Sequence, residues 1–258
     1  MSDPELRSEQ EVVTRALCLA AVRLRVTAET LFKDAECPDG YVEFCGGEPK
    51  ETPDIILRWL KKENLLSELS PQETGWLTTP IGHLSRRDAI DASWREEALV
   101  SLLWALGIVD PMPAPDTQLD FADLLEATNL LRDSQLFWRR VAIRPDVQVN
   151  SARGTAEFWL WRVRTEQLIR MPDEELTMTH QVSKPKLLEI VQHAAERGEQ
   201  DNLFRRINGD FPALGKSFRE LSGDELSFMN SMCRERLYAL NWTCDSEQTP
   251  WDEVACDT

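Results

Sequence analysis

The chain is poor in the side chains on which most recognisable chemistry is built. Its 258 residues include only three histidines, His83, His180 and His193, each alone in its segment. None has a second His or Cys at the spacing of a zinc site, so neither a metal centre nor a cofactor is expected. The six cysteines, Cys18, Cys37, Cys45, Cys233, Cys244 and Cys256, contain no C-x-x-C pair. They are expected to be reduced, mostly buried thiols of an intracellular protein rather than a disulfide framework. No G-x-S-x-G elbow is present, which excludes a serine hydrolase of that pattern. The longest apolar run, Val100 to Val109, is far too short to span a bilayer, and the polar start MSDPELRSEQE is no signal peptide. A cytoplasmic protein without a membrane segment is the expectation.

Positive charge is also scarce. Against 45 acidic residues stand 29 basic ones, a formal net charge of -16. Such a surface repels a phosphate backbone, so nucleic acid is not the expected ligand, whereas a basic protein partner would be steered toward it. Gly209 to Ser217 superficially resembles a phosphate-binding loop. Asp210 stands where the first glycine is required, however, and Pro212 removes a backbone donor.

What the chain does have is helix punctuation. Ser222 followed by Glu225 is a capping box, and Leu226, Met229, Cys233, Leu237 and Leu240 then recur at spacings of three and four. Ser8 with Glu11, or Asp3 before Pro4, opens a long first helix that should end before Cys37-Pro38-Asp39-Gly40, its arginines Arg15, Arg23 and Arg25 pointing away from the apolar stripe. Further helices are predicted from Thr52, from Ser70, over 85–106, over 120–132, from Ser151 and from Pro185. Ile90, Trp94, Ala98, Leu99 and Leu102 mark the inward face of the central one. Tyr41 to Phe44 is the one plausible strand, and 172–184 reads as polar loop. The fold predicted is all-α or mainly α: an irregular multi-helix bundle with long loops and at most a short hairpin, one domain over 1–258. The proline-rich connector Asp110 to Asp116 is the one place where it could divide.

The nine tryptophans fall mostly within helical apolar patterns and read as core. Asn241-Trp242 and Trp251-Asp252 differ, because an Asn in a last helical turn and a Trp in a polar tail have no propensity reason to be there. Arg234, Asn241, Trp242, Trp251, Asp252 and Asp257 are therefore the candidate binding residues. They either fasten the tail to the bundle or line a groove, with Asp252, Glu253 and Asp257 expected to cap or to pair with Arg234 or Arg236. No residue stands out as catalytic.

Two segments carry a family resemblance. Glu235 to Trp242 with Trp251-Asp252-Glu253-Val254 and Asp257-Thr258, and Ser93 to Gly107, resemble the uncharacterised bacterial family called domain of unknown function 4272. Weaker similarity runs through Arg7 to Val22 and Gly215 to Leu221. The resemblance implies a largely helical soluble protein, with no established activity and no catalytic residues to carry over. Acidity and the missing catalytic constellation together point to a non-enzymatic protein that engages a basic partner, as a toxin neutraliser or a complex adaptor. The alternative is an enzyme of unrecognised type with its pocket where the tail meets the last helix. Oligomeric state is not legible.

Overall fold

The computed structural model describes residues 6–35 and 37–256. In chain order its helices are α1 (Glu9–Asp34), α2 (Tyr41–Cys45), α3 (Thr52–Lys62), α4 (Pro71–Thr78), α5 (Arg86–Ala105), α6 (Phe121–Thr128), α7 (Ser134–Trp138), α8 (Asp146–Arg170), α9 (Asp173–His180), α10 (Lys184–Gln200) and α11 (Gly223–Thr243). One two-residue antiparallel hairpin, β1 (Pro212–Ala213) and β2 (Lys216–Ser217), completes a mainly α fold. Serine caps set the helix starts: Ser8, Ser70 and Ser222 each make a reciprocal box with the Glu three residues on, and Ser85 accepts from the Asp88 N–H. Each such cap contributes about 1 kcal/mol.

The long helices pack in a row, α1 on α5, α5 on α11, α11 on α8, with α10 against α8. Interior position explains why the last turns of α5 are apolar on every side: Ala98, Leu99, Val100, Leu102 and Leu103 are all fully buried. The main core lies between α1, α3, α4 and α5, and a second, aromatic one gathers Trp159, Phe211 and Phe218 against Met229 and Leu237 of α11.

Several expectations are corrected. Tyr41 to Phe44 is helical, a single turn between Gly40 and Gly46, both in the left-handed conformation, with the Tyr41 hydroxyl 2.9 Å from Thr52 Oγ1. That anchor outweighs the strand preference of the aromatic residues. The hairpin lies instead at 212–217, where Leu214 and Gly215 both take positive φ. Residues 173–180 form α9, whose Asp173, Glu174 and Glu175 stabilise the positive end of the helix, so polarity there signals a helix start rather than a loop. Helix α8 begins at Asp146, not at Ser151, because Val149 buries itself against Trp104 and Leu240. Ile90 is exposed on α5.

The largest departure concerns arginine. Arg7, Arg15, Arg25, Arg95, Arg162 and Arg236 are buried, and no lysine among the described residues is. Three of these guanidinium groups, Arg15, Arg25 and Arg236, do two things at once, neutralising a buried carboxylate and donating to backbone carbonyls. Arg25 bonds Glu29 at 2.9 Å and the Thr79 carbonyl at 3.0 Å, and Arg236 bonds Glu97 together with three carbonyls of the connector. The planar fork suits this double role in a way an ammonium does not.

Arg162 grips Asp210 bidentately, at 2.9 and 2.7 Å, and shares Glu166 with Arg170. Burial pushes the Asp210 carboxyl up. Hydrogen bonds and charge from Arg162, with the Phe211 N–H and Arg219, outweigh that and hold it below the usual carboxylate range. Its stabilising contribution is therefore complete above the unfolded-state value and is lost as pH falls through the depressed folded one. Asp210→Asn is expected to lower the urea midpoint at neutral pH, and its deficit against the unmodified chain should shrink steadily on acidification. A deficit independent of pH would contradict this.

Candidate functional site

Helix α11 turns its last two turns toward α1 and α5, and the tail folds back over them. Trp251 is 3 % exposed, edge-on to both Tyr238 (4.9 Å between ring centroids) and Trp242 (5.4 Å). Two guanidinium groups flank it, Arg15 at 5.2 Å and Arg95 at 5.8 Å from the ring centre, each favourable by about 0.5–2 kcal/mol. The Tyr238 hydroxyl donates to the Trp251 carbonyl, and burial pushes the Tyr238 phenol up to about 12, so it stays a donor. Behind the rings, Arg15 pairs with Glu73 at 2.5 Å and Arg95 with Glu235 at 2.9 Å. Burial pushes the Glu235 carboxyl up although Arg95 opposes it.

The candidate binding residues separate accordingly. Trp242 and Trp251 come together in this cluster. Asp252 accepts the Gln72 N–H at 3.0 Å, in the first turn of α4, and Gln72 in turn accepts from Arg95. The side-chain amide of Asn241 donates to the Ala255 carbonyl at 3.0 Å. Arg234 sits apart with an exposed side chain, its carbonyl 3.4 Å from Cys256 Sγ. Asp257 lies outside the described residues. Of the expected alternatives, capping or pairing with Arg234 or Arg236, Asp252 takes the first, on the start of α4, while the Arg236 guanidinium is taken by Glu97. The indole N–H of Trp251 has no partner among the described residues, so the contribution of the side chain is packing.

Arg15, Glu73, Arg95, Glu235 and Tyr238 were not singled out from the sequence, yet a signal existed. Arg95 follows Ala92 by three and precedes Leu99 by four, and Glu235 stands likewise between Met232 and Ala239, all four neighbours buried. A charged residue inside an apolar stripe marks a buried pair.

Beside the cluster lies a polar cleft of about 720 Å³, between the start of α1, the end of α3, α7 and the loop 248–251, with Arg15, Trp242 and Trp251 on its wall. Arg7 closes one side, donating to the Trp242 and Thr249 carbonyls at 2.9 and 2.6 Å. Among the described residues no group of three or more His, Cys, Asp or Glu is arranged to hold a metal ion.

The model of the family described as Domain of unknown function (DUF4272) matches residues 1–182. The chain belongs to this family. In this DUF4272 member the match takes in α1 and α5, including the Ser93 to Gly107 motif, and ends after α9. The motifs at 215–221 and 235–258 lie beyond it, so the segment that clasps the bundle is outside the matched residues. Neither curated proteins nor solved structures give a match.

Proposed function

We propose that the protein acts without catalysis, by binding a basic protein partner, as a toxin neutraliser or an adaptor within a larger complex, in the cytoplasm. One observation carries this reading. Among the described residues six arginines and seven carboxylates are buried, so the interior is almost neutral and the acidic excess of the described residues lies outside it. From Leu237 to Thr258 there is no Lys or Arg against five acidic residues. From Asp110 to Leu131 there is likewise none against Asp110, Asp116, Asp120, Asp123 and Glu126. Fields of this sign raise encounter rates with a basic partner and fall with added salt. The location is supported by Cys18, Cys37, Cys45, Cys233 and Cys244, which are free thiols, and by the described helices, none of which is long and apolar enough to cross a membrane.

The test is affinity capture from native lysate, in parallel with a variant carrying Asp123→Lys and Glu126→Lys on the exposed face of α6. The reading predicts a basic protein retained at low salt, released as salt rises, and retained less by the variant. Capture indifferent to both salt and charge reversal, or none at any ionic strength, would contradict it. The polar cleft of about 720 Å³, on whose wall Trp242 of α11 meets residues 248–251 of the tail, favours the second reading, an enzyme with its pocket where the tail meets the last helix. A large thermal stabilisation by one metabolite, lost on Arg15→Met, would favour that reading instead.

A further inference from the structure

A second cleft, about 660 Å³, runs between the proline-rich connector and α8, with Cys233, Arg236 and Leu240 of α11 beneath it and Trp104 and Trp159 among its walls. Its existence follows from residue size on one helical face. Helix α8 carries Phe158, Trp159 and Trp161 farther along. The positions lining this cleft, Ser151, Ala152, Thr155 and Ala156, are small and lie at helical spacing.

The connector is held in place by bonds to its own backbone. Arg236 donates to the Pro113, Ala114 and Thr117 carbonyls at 2.9, 2.8 and 2.7 Å while its Nε holds Glu97 at 2.9 Å. The Asp116 carboxylate accepts the Leu214 N–H at 2.7 Å. Arg144 secures the upstream end through the Val109 carbonyl and Asp110. The cleft is thus built in advance of any occupant, and its volume falls in the range of about 300–1,000 Å³ usual for small-molecule sites.

The chemistry of the walls narrows the occupant. Among the described residues Arg236 is the one charged residue lining the cleft, and Glu97 neutralises it. Prolines 113 and 115 carry no N–H, the Thr155 hydroxyl is spent on the Ser151 carbonyl at 3.1 Å, and burial pushes the Cys233 thiol up to about 12, so it is uncharged. Asp116 and Asp146 adjoin the lining residues Pro115 and Val147 and disfavour an anion. Gln148 is exposed at the rim of the cleft, where its side-chain amide can meet a single hydroxyl. Val147 and Trp159, both lining residues, stand twelve residues apart on α8, about 18 Å at 1.5 Å per residue.

We propose that this cleft binds an elongated, uncharged, apolar small molecule lying along α8, of the class of a single-chain aliphatic alcohol. The cleft borders the acidic segment 110–131, but what it binds does not depend on the partner reading. It is tested by titrating the full chain with the uncharged dye N-phenyl-1-naphthylamine, followed by displacement with 1-dodecanol and, separately, with dodecanoate. The expected result is one saturable dye site, displaced by the alcohol and about tenfold less readily by the carboxylate, a difference of about 1.4 kcal/mol. Ala152→Phe, from the helix wall, and Met112→Trp, from the connector, should each weaken dye binding at least about tenfold with an unchanged melting temperature. The connector variant keeps the test decisive if the helix variant does not fold. Absence of a saturable site, equal or better displacement by dodecanoate, or undiminished binding by a folded variant would overturn the proposal.

Discussion

Arg236→Met is expected to lower the free energy of unfolding by about 3–5 kcal/mol, the cost of leaving a buried charge without its partner. Glu97 has no exposed surface, and its second carboxylate oxygen already lacks a hydrogen bond. The substitution also strands three connector carbonyls that have Arg236 as their donor. Methionine fills much of the vacated volume, so the loss reports charge and hydrogen bonding rather than a cavity. In urea denaturation the midpoint should fall with little change in slope. Adding Glu97→Leu should recover part of the loss by removing the stranded charge, but not the part due to the carbonyls. Lys186→Ala, which breaks an exposed pair with Glu189, should change stability by less than about 0.5 kcal/mol and serves as the contrast. Equal effects at the two sites would show that the interior pairs are not desolvated as described.

Trp251→Ala carries the second large effect, about 3–5 kcal/mol if the tail and bundle unfold together. The ring is enclosed by Tyr238, Trp242 and two guanidinium groups, so truncation removes packing and both cation–π contacts together. Trp251→Phe should cost clearly less, because the indole N–H has no partner to lose. Limited proteolysis separates local from global opening. Cleavage confined to residues 245–250 in the Ala variant, with an unshifted urea midpoint, would mean that the tail detaches alone and that the clasp adds little to the bundle.

Most of the fold was legible because its determinants are local. Ser8, Ser70, Ser85 and Ser222 announce helix starts by the residues three positions on, and the apolar end of α5 announces burial on all sides. Errors fell where tertiary contacts override local preference. A strand-like Tyr41-Val42-Glu43-Phe44 becomes a helical turn because Tyr41 docks on Thr52, and α8 gains a first turn because Val149 has a core to enter. The site was half legible. Trp251 and Trp242 stood out as apolar groups in polar or terminal surroundings, and they do meet. Arg15 and Arg95 did not stand out, because charge on a helix reads as a solvated face until the carboxylates Glu73 and Glu235, 58 and 140 residues away, are brought against them. A charge set in an apolar stripe hints at such a pair, but its partner is fixed only by the folded arrangement of four helices, α1 with α4 and α5 with α11.

The clasp itself is tested most directly by amide hydrogen exchange at Gln72. This N–H belongs to the first turn of α4, where helices leave donors unpaired, and its partner is the Asp252 carboxylate of the tail. A docked tail predicts exchange markedly slower than in an exposed loop, with the protection lost in Asp252→Ala while the amides of α5 and α11 stay protected. Rapid exchange at Gln72 in the unmodified chain, unchanged by Asp252→Ala, would show that the tail does not hold the bundle.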